Sequence, residues 1–308
     1  MKKATAKSVR LDAEEYAYFQ RELEYIKRQE FQVEYAELQA RKFIPVSNET
    51  PSWARTVTYT QWNKVGIWKI ISDYSHDLPR TDVKGEQFTA TVRTLGGSYG
   101  WNIDEIKEAA ATGRRLDRMR ALNNREGQLR LENSIALVGD TDYSIVGLFN
   151  HANTINITIP DPGSGTEFVN KTPDQVLSDL FNVANGPFEN TFQVEVADTL
   201  LLPPTQYNYV GQTRITDTAI AIIEYFKKNH PTVKNVGWAA ELAGIGAGST
   251  DRAFAYRRDP SKLQLEIPQE YEALPPEQRG LEHVVNATSK IAGVLFYKPL
   301  SSAKGDGI

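Results

Sequence analysis

The spacing of apolar residues changes period several times along the chain. In residues 11–43, Tyr16, Phe19, Leu23 and Ile26 fall three or four apart, as on one helix face. Glu30 then takes the next apolar position, and Phe31, Val33 and Tyr35 alternate instead. This mixture predicts an arm, part helix and part extended, that lies on another surface, with residues 45–51 as its hinge. Period-two patterning follows in RTVTYTQWNKVGIWKII (55–71) and EQFTATVRTL (86–95), where Phe88, Ala90 and Val92 alternate with Thr89, Thr91 and Arg93. Both runs are rich in β-branched and aromatic residues, so they predict a pair of strands joined by a projecting polar loop of about 14 residues.

A two-stranded ribbon is marginally stable alone in water. Its Trp62, Trp68, Ile70 and Phe88 therefore pack either on the chain's own core or across a neighbouring copy. Gly96-Gly97-Ser98-Tyr99-Gly100 reads as the break that ends the strand, and Asn102 with Glu105 as the cap of a helix. From Ile103 to Val138 there is no proline, and Gly113 and Gly127 weaken the helix by about 1 kcal/mol each. Unbroken, it has about 36 residues and spans roughly 54 Å; a break at either glycine is the alternative. Asp117, Arg120 and Asn124 interrupt any heptad, which points to a girder across a flat subunit and not to a coiled coil. Gly139-Asp140 is its stop, and Ile145, Val146, Leu148 and Phe149 make the next apolar element.

Beyond Phe149 the pattern is that of a compact mixed α and β region. INITIPDPGSGTEFV reads as strand, turn and strand, and TPDQVLSDLFNVAN as a helix with Thr172 as cap and Pro173 at its first position. TLLLPPTQYNYV is strand-like up to Pro203. ITDTAIAIIEYFKKNHP reads as a helix with Lys227, Lys228 and His230 at its negative end. VKNVGWAAEL, AFAYRRD and KLQLEIP supply strands, and GLEHVVNATSKIAGVLFYKPL two more that return to the long helix.

Composition narrows the function classes. The chain has 308 residues, 40% hydrophobic and 24% charged, which is globular, and its lack of cysteine removes disulfides and thiolate chemistry. That fits a reducing cytoplasm. Acidic residues at 12, 14 and 15 interrupt the start of any signal peptide, and no run reaches the roughly 18 apolar residues of a membrane span, so a soluble protein is expected. A net charge of -4 gives no general attraction for phosphate, and Arg114, Arg115, Arg118, Arg120, Arg125 and Arg130 read as a solvated helix face.

Catalytic motifs are missing. AGIGAGST (243–250) has no lysine after its last glycine and carries Ser249 where a dinucleotide fingerprint wants Gly or Ala, so it reads as a flexible loop, suited to a close contact around a symmetry axis. His76, His151, His230 and His283 are scattered without metal-ligand spacing. Asp140 and Asp142 belong to the helix stop, no G-x-S-x-G occurs, and Glu195 with Asp198 is an incidental pair. No cofactor and no metal is expected.

The order of arm, ribbon, very long helix, glycine turn, mixed domain and returning strands resembles the major capsid proteins of tailed phages, the Hong Kong 97-like or Johnson fold, an α+β class. Pro275, Pro276, Arg279, Gly280, Leu281 and the closing Asp306, Gly307, Ile308 resemble one variety of that family, as do Gly139, Asp140, Gly147 and Leu148 around the end of the helix. The resemblance implies an N-terminal arm (1–51), an extended loop (52–95), a peripheral domain with a spine helix (96–150 and 263–300), an axial domain (151–262) and a C-terminal tail (301–308). It implies a structural protein, not an enzyme. Its copies form pentamers and hexamers of an icosahedral shell around double-stranded DNA, without sequence-specific binding and without a membrane.

Implied partners are a separate scaffolding protein, since only about 50 residues precede the ribbon, a portal and, optionally, a decoration protein. The implied location is the virion, assembled in the host cytoplasm. Tyr16, Phe19, Trp62, Trp68, Lys84 and Phe88 are the expected assembly contacts. Some relatives cross-link a loop lysine to an asparagine; Lys64, Lys69 or Lys84 with Asn286 would be the pair here, though nothing matches specifically. Two alternatives stand beside this reading: a nanocompartment shell of the same fold that holds enzyme cargo, and a mixed α and β enzyme suggested by the glycine loop.

Overall fold

The computed structural model describes residues 37–66, 68–70, 80, 82–112, 116–163, 165–216 and 218–308. The expected helix-and-strand arm, with Tyr16 and Phe19, lies outside them. So do most of the projecting loop and residues 113–115, where the long helix was open to a break.

A five-stranded mixed sheet is buried on both faces. Its order is Ile155–Thr158, Ser302–Asp306, Arg252–Tyr256, Thr199–Leu202 and Asn235–Trp238, with antiparallel pairing around Arg252–Tyr256 and parallel pairing at both edges. Side chains alternate across it. Leu200, Leu202, Ala253 and Ala255 enter one apolar cluster, while Leu201, Phe254 and Tyr256 enter the other, and all seven are completely buried. The first cluster is roofed by the helices Pro173–Asn190, Pro204–Gln212 and Ile222–Asn229, through Val176, Leu180, Val183, Val210, Ile222 and Phe226. The second is closed by the short helix Ala40–Phe43, by Ile135, Ala136 and Leu137, and by a three-stranded sheet of Val46–Ser47, Leu263–Glu266 and Gly293–Phe296. Residues 38–51, expected as arm and hinge, are thus part of the body: Val46 pairs with Leu265 in parallel.

Capping chemistry acts where the sequence places it. Thr172 accepts from the Gln175 N–H while the Gln175 side chain accepts from the Thr172 N–H, with Pro173 at the first helical position. At the start of helix Ile103–Thr112 the Glu105 carboxylate accepts from the Asn102 N–H, and Asn102 Oδ1 accepts from the Asp104 N–H. A second helical stretch, Leu116–Leu137, has 22 residues and runs unbroken through Gly127. Among its described side chains only those of the last two turns are buried, including Glu132, Asn133 and Ile135 to Leu137.

The stop is built from two glycines in contact. Gly139 has φ +85°, and a Cβ on Gly147 would lie 2.3 Å from the Gly139 nitrogen. This pinch turns the chain back, so that Leu148 and Phe149 donate N–H groups to the open carbonyls of Ala136 and Leu137 at 2.8 and 2.9 Å. Asp140 Oδ1 accepts from the N–H of Asp142 at 3.0 Å and so serves the turn.

Four expectations are corrected. Gly96 to Gly100 do not break the strand: Arg93–Asn102 runs through them and pairs antiparallel with Glu282–Ile291 over ten positions. A Cβ on Gly97 would meet the Asn124 side chain at 2.9 Å, and one on Gly100 the His283 carbonyl at 2.8 Å. Gly97 thus lets the strand cross the long helix closely, and Gly100 lets it approach the paired strand. Phe168 and Val169 lie in a 3-10 turn, not in the second strand of a hairpin. The second helix of the mixed region is only Ile222–Asn229, and Pro204–Gln212, to which the pattern assigns no element, is helical. Residues 301–308, expected as a tail, supply the sheet strand Ser302–Asp306 and bury Ile308.

Candidate assembly surface

Thr56–Val65 and Asp82–Thr91 pair antiparallel over ten positions and, among the described residues, join no other strand. The period of two sorts the ribbon's faces. Val57, Tyr59, Phe88 and Ala90 share one; Thr56, Thr58, Thr60, Trp62, Thr89 and Thr91 share the other. On the threonine face Thr58 and Thr89 share a hydrogen bond of 3.0 Å, and Trp62 lies over Gly85, where a Cβ would come within 2.9 Å of its ring. An aromatic ring over a cross-strand glycine shields backbone that has no side chain of its own.

The other face is tied to the body at its base. Tyr59 stacks on Phe88 at 5.5 Å, meets Tyr297 edge-on at 4.9 Å, and donates its hydroxyl to the Phe296 carbonyl at 2.7 Å. Burial raises the Tyr59 hydroxyl above its ordinary pKa, so it stays a donor. Lys290 donates to the Ser52 carbonyl at 2.6 Å, and Val92 N–H to Arg55 at 2.9 Å.

A second tie holds the chain just before the ribbon. Arg41 bonds both oxygens of Glu132 at 2.6 and 2.9 Å and both oxygens of Glu270 at 3.0 and 2.8 Å. Hydrogen bonds to Glu132 and Glu270 outweigh its burial and push its pKa further up. Asn133 Oδ1 accepts from the N–H groups of Gln39 and Ala40 at 3.0 and 2.9 Å, fixing the start of helix Ala40–Phe43.

The groups weighed for chemistry are occupied otherwise. In the glycine loop the N–H of Gly244 donates to Asp251 and that of Ala247 to Asp306, so carboxylates of the chain hold amides that a phosphate would need. His230 sits between Phe181 and Phe226 and bonds Asn185 and Thr232. Burial lowers its pKa, so it is neutral and adds no charge to the helix end, contrary to expectation. Burial, with Lys304 nearby, lowers His151 as well. Glu195 pairs with Lys262 at 2.5 Å, and Asp198 bonds the Arg258 N–H and the Thr199 hydroxyl; the two serve different contacts. Among the described residues no cluster of His, Asp or Glu has the form of a metal site.

The model of the major capsid protein family matches residues 66–308, most of the chain. The chain belongs to that family. Among solved structures, the major capsid protein is similar to the capsid of Myoviridae phage XM1, at 22% identity and TM-score 0.82 over 94% of this chain and 98% of that one. It is also similar to a chain from Mycobacterium phage Bobi, at 11% identity and TM-score 0.63 over 97% and 100%. The virus-like particle from Pyrococcus furiosus gives 12% identity and TM-score 0.54 over 86% and 91%. A search of the curated proteins finds no match. The fold is therefore the Hong Kong 97-like capsid fold, and copies of this chain build a virion shell.

On this major capsid protein the expected contact residues divide. Trp62 is 61% exposed, Trp68 93%, and Lys84 is exposed, so all three are free for a neighbour. Phe88 is half-buried against Tyr59 of its own chain, while Tyr16 and Phe19 lie outside the described residues. Tyr59 was missed, although its place one period from Val57 on a β-branched run was the available signal. A second exposed apolar group, Phe188, Phe192 and Val194, had no periodic signal, since Phe192 and Gln193 take positive φ in a turn beyond a helix.

Proposed function

We propose that this major capsid protein forms pentamers and hexamers of the icosahedral head of a tailed bacteriophage, enclosing double-stranded DNA without sequence-specific contacts. The observation that carries the reading is the isolated ribbon: ten paired positions with no third strand among the described residues, Trp62 exposed on it and Trp68 exposed just beyond it. Covering that apolar area in every copy contributes roughly 25 cal/mol per Å², so affinity is spread over many contacts and needs no single strong site. In this reading the arm is confined to 1–37, since residues 38–51 pack on the body, and 52–95 is the extended loop, 96–150 with 263–300 the peripheral domain and 151–262 the axial domain. Trp62, Trp68, Lys84 and Phe88, with Tyr16 and Phe19 of the arm, make the contacts. The subunit has no catalytic role; a scaffolding protein and a portal are its partners, and assembly takes place in the host cytoplasm.

Negative-stain microscopy with sedimentation, on the protein alone and with the products of its neighbouring genes, tests this. Closed shells of uniform diameter, or rings of five and six, are expected, and nuclease-protected DNA in shells from infected cells. A monodisperse monomer under every condition overturns the reading. Shells that enclose an enzyme in place of DNA would favour the nanocompartment alternative.

A further inference from the structure

Beside the edge strand Asn235–Trp238 lies a cleft of about 490 Å³. Four cations from four places in the chain line it: Lys42, Lys227, Lys234 and Arg258. No carboxylate does, although the whole chain is acidic at -4. All four are exposed, and none has an ion-pair partner among the described residues, whereas Arg41, Arg120, Lys171, Arg252 and Lys262 are each paired. Unneutralised positive charge is thus gathered at one place.

The floor adds a second kind of selectivity. The N–H groups of Asn235 and Ala239 donate inward, to Asp198 and Leu202. By the alternation of a parallel ladder, the backbone groups of Val236 and Trp238 turn to the open side. Phe43, Leu201 and the side chains of that strand give an apolar lining. Gln39, also in the lining, is 4% exposed, and its side-chain carbonyl has no hydrogen-bond partner among the described residues. That acceptor wants a donor. A polypeptide brings N–H groups; a nucleic-acid backbone brings only acceptors.

We propose that this cleft takes an acidic polypeptide segment of a separate partner protein, added as an extended strand along Asn235–Trp238, with its carboxylates on Lys42, Lys227, Lys234 and Arg258. Backbone bonds supply the register and the lysines the choice of acidic over neutral sequence. The site is distinct from the ribbon and does not depend on shells forming.

Fluorescence anisotropy on the full chain, with an end-blocked peptide alternating glutamate with valine and tyrosine, tests it. Saturable binding is expected. It should weaken by at least about tenfold when the glutamates are replaced by glutamine, and likewise in Lys227→Gln/Lys234→Gln, whose unchanged melting temperature shows an intact fold. N-methylation of one alternate set of peptide amides should abolish binding, and of the other set leave it, as strand addition requires. No binding, equal binding of the glutamine peptide or by the variant, or equal loss from both methylation sets overturns the proposal. So does tighter binding of a short duplex DNA that competes with the peptide, which would assign the cleft to phosphate.

Discussion

The five-stranded sheet and the ribbon are both β-structure, yet one has a hydrophobic cluster on each face and the other is held only at its base. In the sheet, strands of four or five residues suffice, because Leu200, Leu202, Ala253 and Ala255 meet helices on one side while Leu201, Phe254 and Tyr256 meet a second core on the other. In the ribbon, strands of ten residues leave Trp62 and five threonines in solvent. The shorter strands hold the subunit, and the longer ones wait for a surface. Strand length follows here from the distance to be reached, not from the stability required.

Substitutions should separate the two regions. Phe254→Ala, on the fully buried sheet, should cost about 3–5 kcal/mol in denaturant unfolding and leave little folded subunit. Asp306→Asn comes next, at about 3 kcal/mol, since it strands the buried Arg252, which also donates to the Phe149 carbonyl. Burial alone would raise the Asp306 pKa, but its bonds from Arg252 and the Ala247 N–H hold it below the usual carboxylate range. The stabilisation is therefore complete above the unfolded value, about 3.9, and is lost as pH falls through the lower folded value. Thermal melts across that range should show a flatter acid limb in the variant.

Tyr59→Phe should cost about 1 kcal/mol and speed hydrogen exchange at the ribbon's base, with the core unchanged. The smallest effect on the subunit is expected from Trp62→Ala with Trp68→Ala, within about 0.5 kcal/mol, because both side chains face solvent. Shell yield in the microscope should nevertheless vanish. Wild-type yield would remove the ribbon from assembly, and a destabilised monomer would mean that the ribbon belongs to the core after all.

Regions that follow a local rule were legible in the sequence. Alternation of Thr89 and Thr91 with Phe88 and Ala90 marks the ribbon, and the caps at Asn102 and Thr172 mark two helix starts. What escaped was set by distant packing. SAKGD (302–306) looks nothing like a strand, yet its small residues are what the site needs. A Cβ on Gly186 of the roofing helix would meet Ala303 at 2.9 Å, and one on Gly305 would meet Val183 at 2.8 Å. Glycines 97 and 100 misled for the same reason: they permit close approach to Asn124 and His283, partners far away in sequence. Of the proposed contact surface, Trp62 and Trp68 stand out in the sequence as strand aromatics, and both are exposed in the subunit. The cationic cleft does not stand out, because its four charges are spread from residue 42 to residue 258.

The pairing of Ile155 with Ala303 across the sheet also sets a timetable. Bringing such distant stretches together is slow, whereas a hairpin closes within microseconds. The ribbon's own strands can pair early, yet its base is fixed only when the Tyr59 hydroxyl meets the Phe296 carbonyl of the completed body. Under the proposed assembly, a subunit therefore gains its contact edge only as its body is completed.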